Sequence, residues 1–145
     1  MIRTDRHFPM PASRAVVWDA LGRPDRFDET WPWLRSFDGS ELRAGVTWRC
    51  EVQPPVPYRV RFAIHLREVV EGELIEAEVD GDVAGSARLE LVDGELGTDL
   101  WLRSELAPGN GLLRSILRVM PPLARYGHDW ILDTGARQFR DQRLS

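Results

Sequence analysis

LWLRSELAPGNGLLRSILRVMPPLARYGHDWI, residues 100–131, is the stretch that decides the fold. Leu100, Leu102, Ser104 and Leu106 fall on one phase, and Trp101, Arg103 and Glu105 on the other. Alternation of this kind marks a strand with one apolar and one wet face. Pro108-Gly109-Asn110-Gly111 ends it, and the apolar period then becomes helical. Asn110 is a good N-cap. Leu113, Ile116, Leu117, Met120, Leu123, Ala124, Gly127, Trp130, Ile131 and Thr134 form one stripe, and the pattern runs to about Arg140. Pro121-Pro122 removes two helix hydrogen bonds and crowds the preceding turn, so a kink or break is predicted there.

Upstream, the period is two from Trp33 to Leu106. Val46, Trp48, Cys50 and Val52 share a phase, as do Tyr58, Val60, Phe62, Ile64 and Leu66. Ile75, Ala77 and Val79 follow, then Val83, Gly85, Ala87, Leu89 and Leu91. Breaks at Gly39, Pro54-Pro55-Val56-Pro57, Glu71-Gly72, Gly81-Asp82 and Asp93-Gly94 carry turn chemistry. Sequential strands joined by such short connections pair as an antiparallel meander. A two-residue turn at Glu71-Gly72 would set Val70 opposite Glu73, Arg67 opposite Glu76 and His65 opposite Glu78. Further upstream, Arg3 to Met10 reads as a strand, and Ser13 caps a helix through about Leu21 with Val16, Val17, Ala20 and Leu21 on one face.

The whole is an α+β chain: strand, short helical region, about six antiparallel strands, one long helix. At 145 residues, 43% hydrophobic and 29% charged, it fits one globular domain spanning 1–145. Its 19 basic and 23 acidic residues interleave to a net charge of -4, with no basic patch for nucleic acid and no basic amphipathic membrane helix. Met1-Ile2-Arg3-Thr4-Asp5-Arg6 lacks a signal-peptide core, and no apolar run could form an integral membrane segment, so a cytoplasmic protein is expected. A homodimer stays open as an assembly state.

Three stretches carry a family resemblance: Phe8-Pro9-Met10-Pro11-Ala12-Ser13-Arg14-Ala15-Val16-Val17-Trp18-Asp19-Ala20-Leu21, then Trp31-Pro32-Trp33-Leu34-Arg35-Ser36, and the last helix with His128-Asp129-Trp130 and Phe139. The chain resembles the SRPBCC superfamily, the START or Bet v 1-like helix-grip proteins, and within it the bacterial polyketide cyclase/dehydrase and lipid transport group. That resemblance implies a curved antiparallel sheet gripping the long C-terminal helix. It also implies functions ranging over lipid carriers, cyclases and chaperone activators.

Several residues carry side chains capable of chemistry. His128, Asp129 and Asp133 look like a weak metal site, but the stripe puts Asp129 on a solvated helix face, near Arg125. His65 alternates onto the wet face, and the orientation of His7 is open. Cys50 lies among apolar neighbours and reads as an inert thiol. Tyr58, Ser104 and Thr134 are polar groups on faces expected to be internal. No metal site and no cofactor motif is recognised. The expected site is therefore an apolar cavity. Trp48, Tyr58, Val60, Phe62, Ile64, Ala77, Leu89, Leu100, Leu102 and Ser104 would line it from the sheet, and Ile116, Met120, Leu123, Gly127 and Ile131 from the helix. Its expected occupant is a hydrophobic small molecule, a lipid or an aromatic polyketide-like compound. The alternatives are a cyclase or dehydratase in the same cavity, with Tyr58 or a buried His7 as the acid/base, and a protein-interaction module.

Overall fold

The chain starts at one edge of a sheet, crosses to the other edge through helices, and returns strand by strand. A computed structural model describes residues 2–144. The elements are β1 (Ile2–Met10), α1 (Arg14–Leu21), a single 3-10 turn (Pro24–Arg26), α2 (Phe27–Thr30), β2 (Leu34–Asp38), β3 (Thr47–Val52), β4 (Val60–Val70), β5 (Leu74–Gly81), β6 (Val83–Asp93), β7 (Thr98–Pro108), α3 (Gly111–Val119) and α4 (Pro121–Arg143). All seven strands pair antiparallel in the order β1-β7-β6-β5-β4-β3-β2. The sheet is curved and holds the long C-terminal helix, the helix-grip arrangement.

The alternation read from sequence becomes cross-strand register. Trp48 faces Ile64, Cys50 faces Phe62 and Val52 faces Val60, so the apolar phases of β3 and β4 coincide. Between β4 and β5 the turn is one residue longer than expected. Val70 pairs with Leu74, Glu68 with Glu76, and a bulge at Arg67 restores His65 opposite Glu78. Without that bulge, the longer turn would move the rest of β4 to the wrong face. Arg67 therefore bonds Glu78 at 2.9 Å, while Glu76 pairs with Arg88 from β6.

The helix starts follow local chemistry. Ser13 Oγ accepts the Val16 N–H at 3.3 Å, and Asn110 Oδ1 accepts the Leu113 N–H at 2.8 Å. In α1 the buried face is Val17 with Trp18, whereas Val16 points outward. The long helix breaks at Met120 (φ -132°, ψ 62°), and the two prolines open α4, where their missing N–H groups cost nothing.

The core has two centres. Met10, Val17, Trp18, Leu91, Leu100 and Phe139 form one, and Phe27, Leu34, Trp48, Val52, Leu66 and Ala77 the other. Trp31, Leu42, Val69 and Ile75 pack against both. Trp31 Nε1 donates to the Gly135 carbonyl at 2.9 Å, and Trp33 Nε1 to Gln138 Oε1 at 2.9 Å, which pins the C-terminal half of α4 beside α2. Deleting the buried Phe139 ring should loosen that anchor: Phe139→Ala is expected to cost about 3–5 kcal/mol in urea unfolding. Val119→Ala, at a site 75% exposed, is expected to change stability by less than about 0.5 kcal/mol. Equal effects of the two would contradict the packing described.

Candidate functional site

One transverse row of the sheet is built from small side chains. Ala77 of β5 faces Ala87 of β6, Ala87 faces Ser104 of β7, and Ser104 faces Thr4 of β1. Larger side chains flank the row on both sides, Ile75, Leu89 and Leu102 on one and Val79 and Leu106 on the other. Beneath α4 such a row leaves space that close packing would otherwise fill. The structure has a cavity of about 480 Å³ there, with an almost wholly apolar lining. The floor is the concave face of the sheet; Trp31, Trp33 and Phe37 wall one side, and α3 and α4 cover it. The Pro54–Tyr58 loop closes one end, held by Gln53, whose Nε2 donates to the carbonyls of Pro54, Val56 and Tyr58 at 3.0–3.1 Å. The loop packs over Gly127 of α4, where a Cβ would make ordinary contact, 3.4–3.5 Å, with Pro54, Tyr58 and Val56.

Of the residues expected from sequence, Trp48, Tyr58, Val60, Phe62, Ile64, Ala77, Leu89, Leu102, Ser104, Gly127 and Ile131 line this space. Four do not. Leu100 has the right phase but lies one step too far along β7, buried in the core with Met10, Val17 and Phe139. Ile116, Met120 and Leu123 are replaced by Leu113, Leu117 and Ala124. The cause is the break at Met120, where α3 ends and a second helix begins on its own phase. Thr134 is buried away from the cavity, and His7 points to the convex face. There it stacks on Trp101 at 4.4 Å and meets Asp99 at 2.9 Å, so it is no internal base.

Sequence reasoning named Ser104 for the cavity but weighed His128 only as part of a weak metal site, and did not place it at the polar corner of this space. His128 lines it, with Nε2 3.4 Å from Thr4 Oγ1 and Nδ1 3.4 Å from Asp129 Oδ1. Asp129 is in turn held by Arg6, at 3.3 Å, and Arg6 also reaches Asp133 at 3.4 Å. Asp129 and Asp133 thus pin α4 to β1 instead of pairing with Arg125. Burial lowers the His128 pKa, against a smaller opposing pull from Asp129, so the ring is neutral at pH 7. An ionised carboxylate only accepts, which puts the proton on Nδ1 and leaves Nε2 as the acceptor at the cavity edge. The other groups are quieter. Burial pushes the Cys50 thiol up to about 12, and burial also raises Tyr58, so both stay protonated. Among the described residues, no cluster of His, Cys, Asp or Glu could hold a metal ion.

Residues 11–117, more than half of the chain, match the family model described as activator of Hsp90 ATPase homolog 1-like protein. The chain belongs to that family. This places it in the SRPBCC superfamily. Among curated proteins, none matches. Solved structures share the fold of this family member over nearly its whole length. They include protein CV1439 from Chromobacterium violaceum (17% identity, TM-score 0.71, covering 99% of this chain and 98% of that one). KanY protein (11%, 0.74, 99% and 98%) and Ara h 8.0201 (9%, 0.73, 99% and 97%) are further examples. At such identities the likeness is one of fold. In this member of the activator-homologue family, any role for the cavity has to be argued from its own residues.

One measurement tests the corner directly. A folded state that keeps His128 neutral binds fewer protons than the unfolded chain once the pH falls below the ordinary histidine value of about 6.5. The contribution of this residue is therefore complete above that value and is lost progressively below it. Between about pH 7.5 and about 5.5, the wild type should lose more stability than His128→Gln. His7 and His65 are common to both proteins and cancel in the comparison. Parallel stability–pH curves would show that the ring is not desolvated.

Proposed function

We propose that this protein binds a hydrophobic small molecule whose body fills the space over Ala77 and Ala87 and whose polar end meets Ser104, Thr4 and His128. The observation that carries the proposal is the row of small side chains under α4. An interior void costs stability unless something occupies it, and a module serving only protein contacts gains nothing from one. The volume lies within the usual range of ligand pockets, about 300–1,000 Å³. Charge narrows the class further. Arg6 is taken by two carboxylates, Arg88 at the lining pairs with Glu76 and Glu90, and His128 is neutral, so among the described residues no unpaired cation faces the cavity. Burying a carboxylate or phosphate there would be costly, which favours a neutral hydroxyl or carbonyl end, on a lipid-like or aromatic polyketide-like skeleton.

A second reading has its own supporting observation. The chain Arg6–Asp129–His128 orients a neutral imidazole at the cavity lining, and its acceptor nitrogen, 3.4 Å from the Thr4 hydroxyl, is the one group there that could serve as a general base. A cyclase or dehydratase acting in the same space would use it, with protonated Tyr58 as the available donor. The chaperone activator for which the family is named gives a third reading, a protein-interaction module.

Native mass spectrometry of protein purified from cells is expected to show a retained neutral, largely apolar molecule. Titration with an apolar dye, followed by tryptophan fluorescence, is expected to saturate at micromolar concentrations. Ala87→Trp should fill the row and weaken the dye about 10-fold, or 1.4 kcal/mol. Failure of the wild type to bind, or unchanged binding by a folded Ala87→Trp, would sink the proposal. His128→Gln separates the two leading readings: a carrier keeps the same bound molecule, whereas an enzyme accumulates a different, unconverted one.

A further inference from the structure

Around the α3–α4 break the surface reverses the usual pattern. Leu112, Val119, Met120 and Tyr126 are 61%, 75%, 53% and 53% exposed. Leu112, Ile116 and Val119 recur at helical spacing and share one side of α3, while Leu113 and Leu117 on the adjoining side line the cavity. From Ala107 to His128 there is no aspartate or glutamate, in a chain whose net charge is -4. The same stretch carries Arg114, Arg118 and Arg125, all exposed. Arginines elsewhere on this protein mostly have carboxylate partners, such as Arg61 with Glu51 and Arg67 with Glu78. Among the described residues, these three pair with no carboxylate.

We infer that the α3–α4 face docks on an anionic lipid surface. Exposed apolar side chains flanked by unpaired arginines fit a partner that is both apolar and negatively charged, which is the interfacial region of an anionic bilayer. A second copy of the chain fits less well, because a two-fold contact through this face would set arginines against arginines. The docking is peripheral: no helix among the described residues is long and apolar enough to cross a membrane. The break at Met120 leaves Ile116 and Met120 outside the cavity lining, with Met120 exposed. Docking stands independently of the cavity's occupant. If the cavity does hold a lipid-like molecule, docking brings the helix that walls it to the headgroup level.

The test is co-sedimentation of the full chain with vesicles of phosphatidylcholine alone or phosphatidylcholine with phosphatidylserine. Wild type is expected to bind the mixed vesicles, to bind the neutral ones weakly, and to release as salt is raised. Arg114→Gln/Arg118→Gln/Arg125→Gln and, separately, Val119→Ser/Met120→Ser should each lower partitioning by about 10-fold or more. None of these residues lines the cavity, so dye binding without vesicles is expected to be unchanged. That control separates failure of docking from failure of the ligand reading. Three results would overturn the inference. One is wild type remaining in solution with both lipids. Another is vesicle binding indifferent to the arginine changes. The third is a wild-type dimer or protein complex that Val119→Ser/Met120→Ser dissociates, which would show that a protein covers this face.

Discussion

A strongly curved sheet cannot bury its own concave face, and here the side chains of one helix have to do it. The grip is tightest near Gly135. Its carbonyl accepts from Trp31, and a Cβ at that position would stand 3.0 Å from Trp33 Cζ2, so a larger residue would have to displace the Trp33 indole. Phe139 lies one helical turn further on and closes the core centre made by Met10, Val17, Trp18, Leu91 and Leu100. With α4 fixed there, its direction over the sheet is set, and everything toward its N-terminus is suspended above the concave face.

That anchoring explains how an interior space survives in a folded protein. Close packing normally draws neighbouring elements together until voids disappear. The C-terminal half of α4 is held by the indole hydrogen bonds, and its middle by Arg6 with Asp129 and Asp133. Collapse of the helix onto Ala77, Ala87 and Ser104 would have to break those contacts. The strands cannot close the gap either, since their spacing is fixed by backbone hydrogen bonds.

Alternation was legible in the sequence because each strand is half wet, and so most of the sheet's contribution to the cavity could be read directly. Phase alone does not say how far along β7 the cavity extends: Leu100 shares the phase of Leu102 and Ser104 but packs in the core with Met10, Val17 and Phe139. Helical residues were harder. A broad apolar stripe does not reveal which of its flanks is buried, and the Met120 break resets the angular phase, so Leu113 and Leu117 took the places expected for Ile116 and Met120. The polar corner was hidden for another reason. Thr4 and Ser104 are far apart in the chain and meet through the β1–β7 pairing, and His128 reaches Thr4 from α4. The one local hint was Arg6, a charged residue on the same phase as Phe8 and Met10, whose inward position requires a carboxylate partner from another element.

The two ends of the helical cover differ in how firmly they are held, and this bears on how a molecule would enter. Toward the C-terminus, α4 buries Thr134, Gly135 and Phe139. In α3, only Leu113 is buried, and the helix is separated from α4 by the non-helical Met120. Local opening follows the least buried segments, so displacement of α3 costs far less than release of α4. Leu113 and Leu117 would leave the cavity as α3 moves, while the indole bonds and the Arg6 pairs stay in place. The α3 side is therefore the more easily opened one, and it also presents Leu112, Val119 and Met120 to the surroundings. A single short helix thus separates the interior space from the most apolar part of the surface.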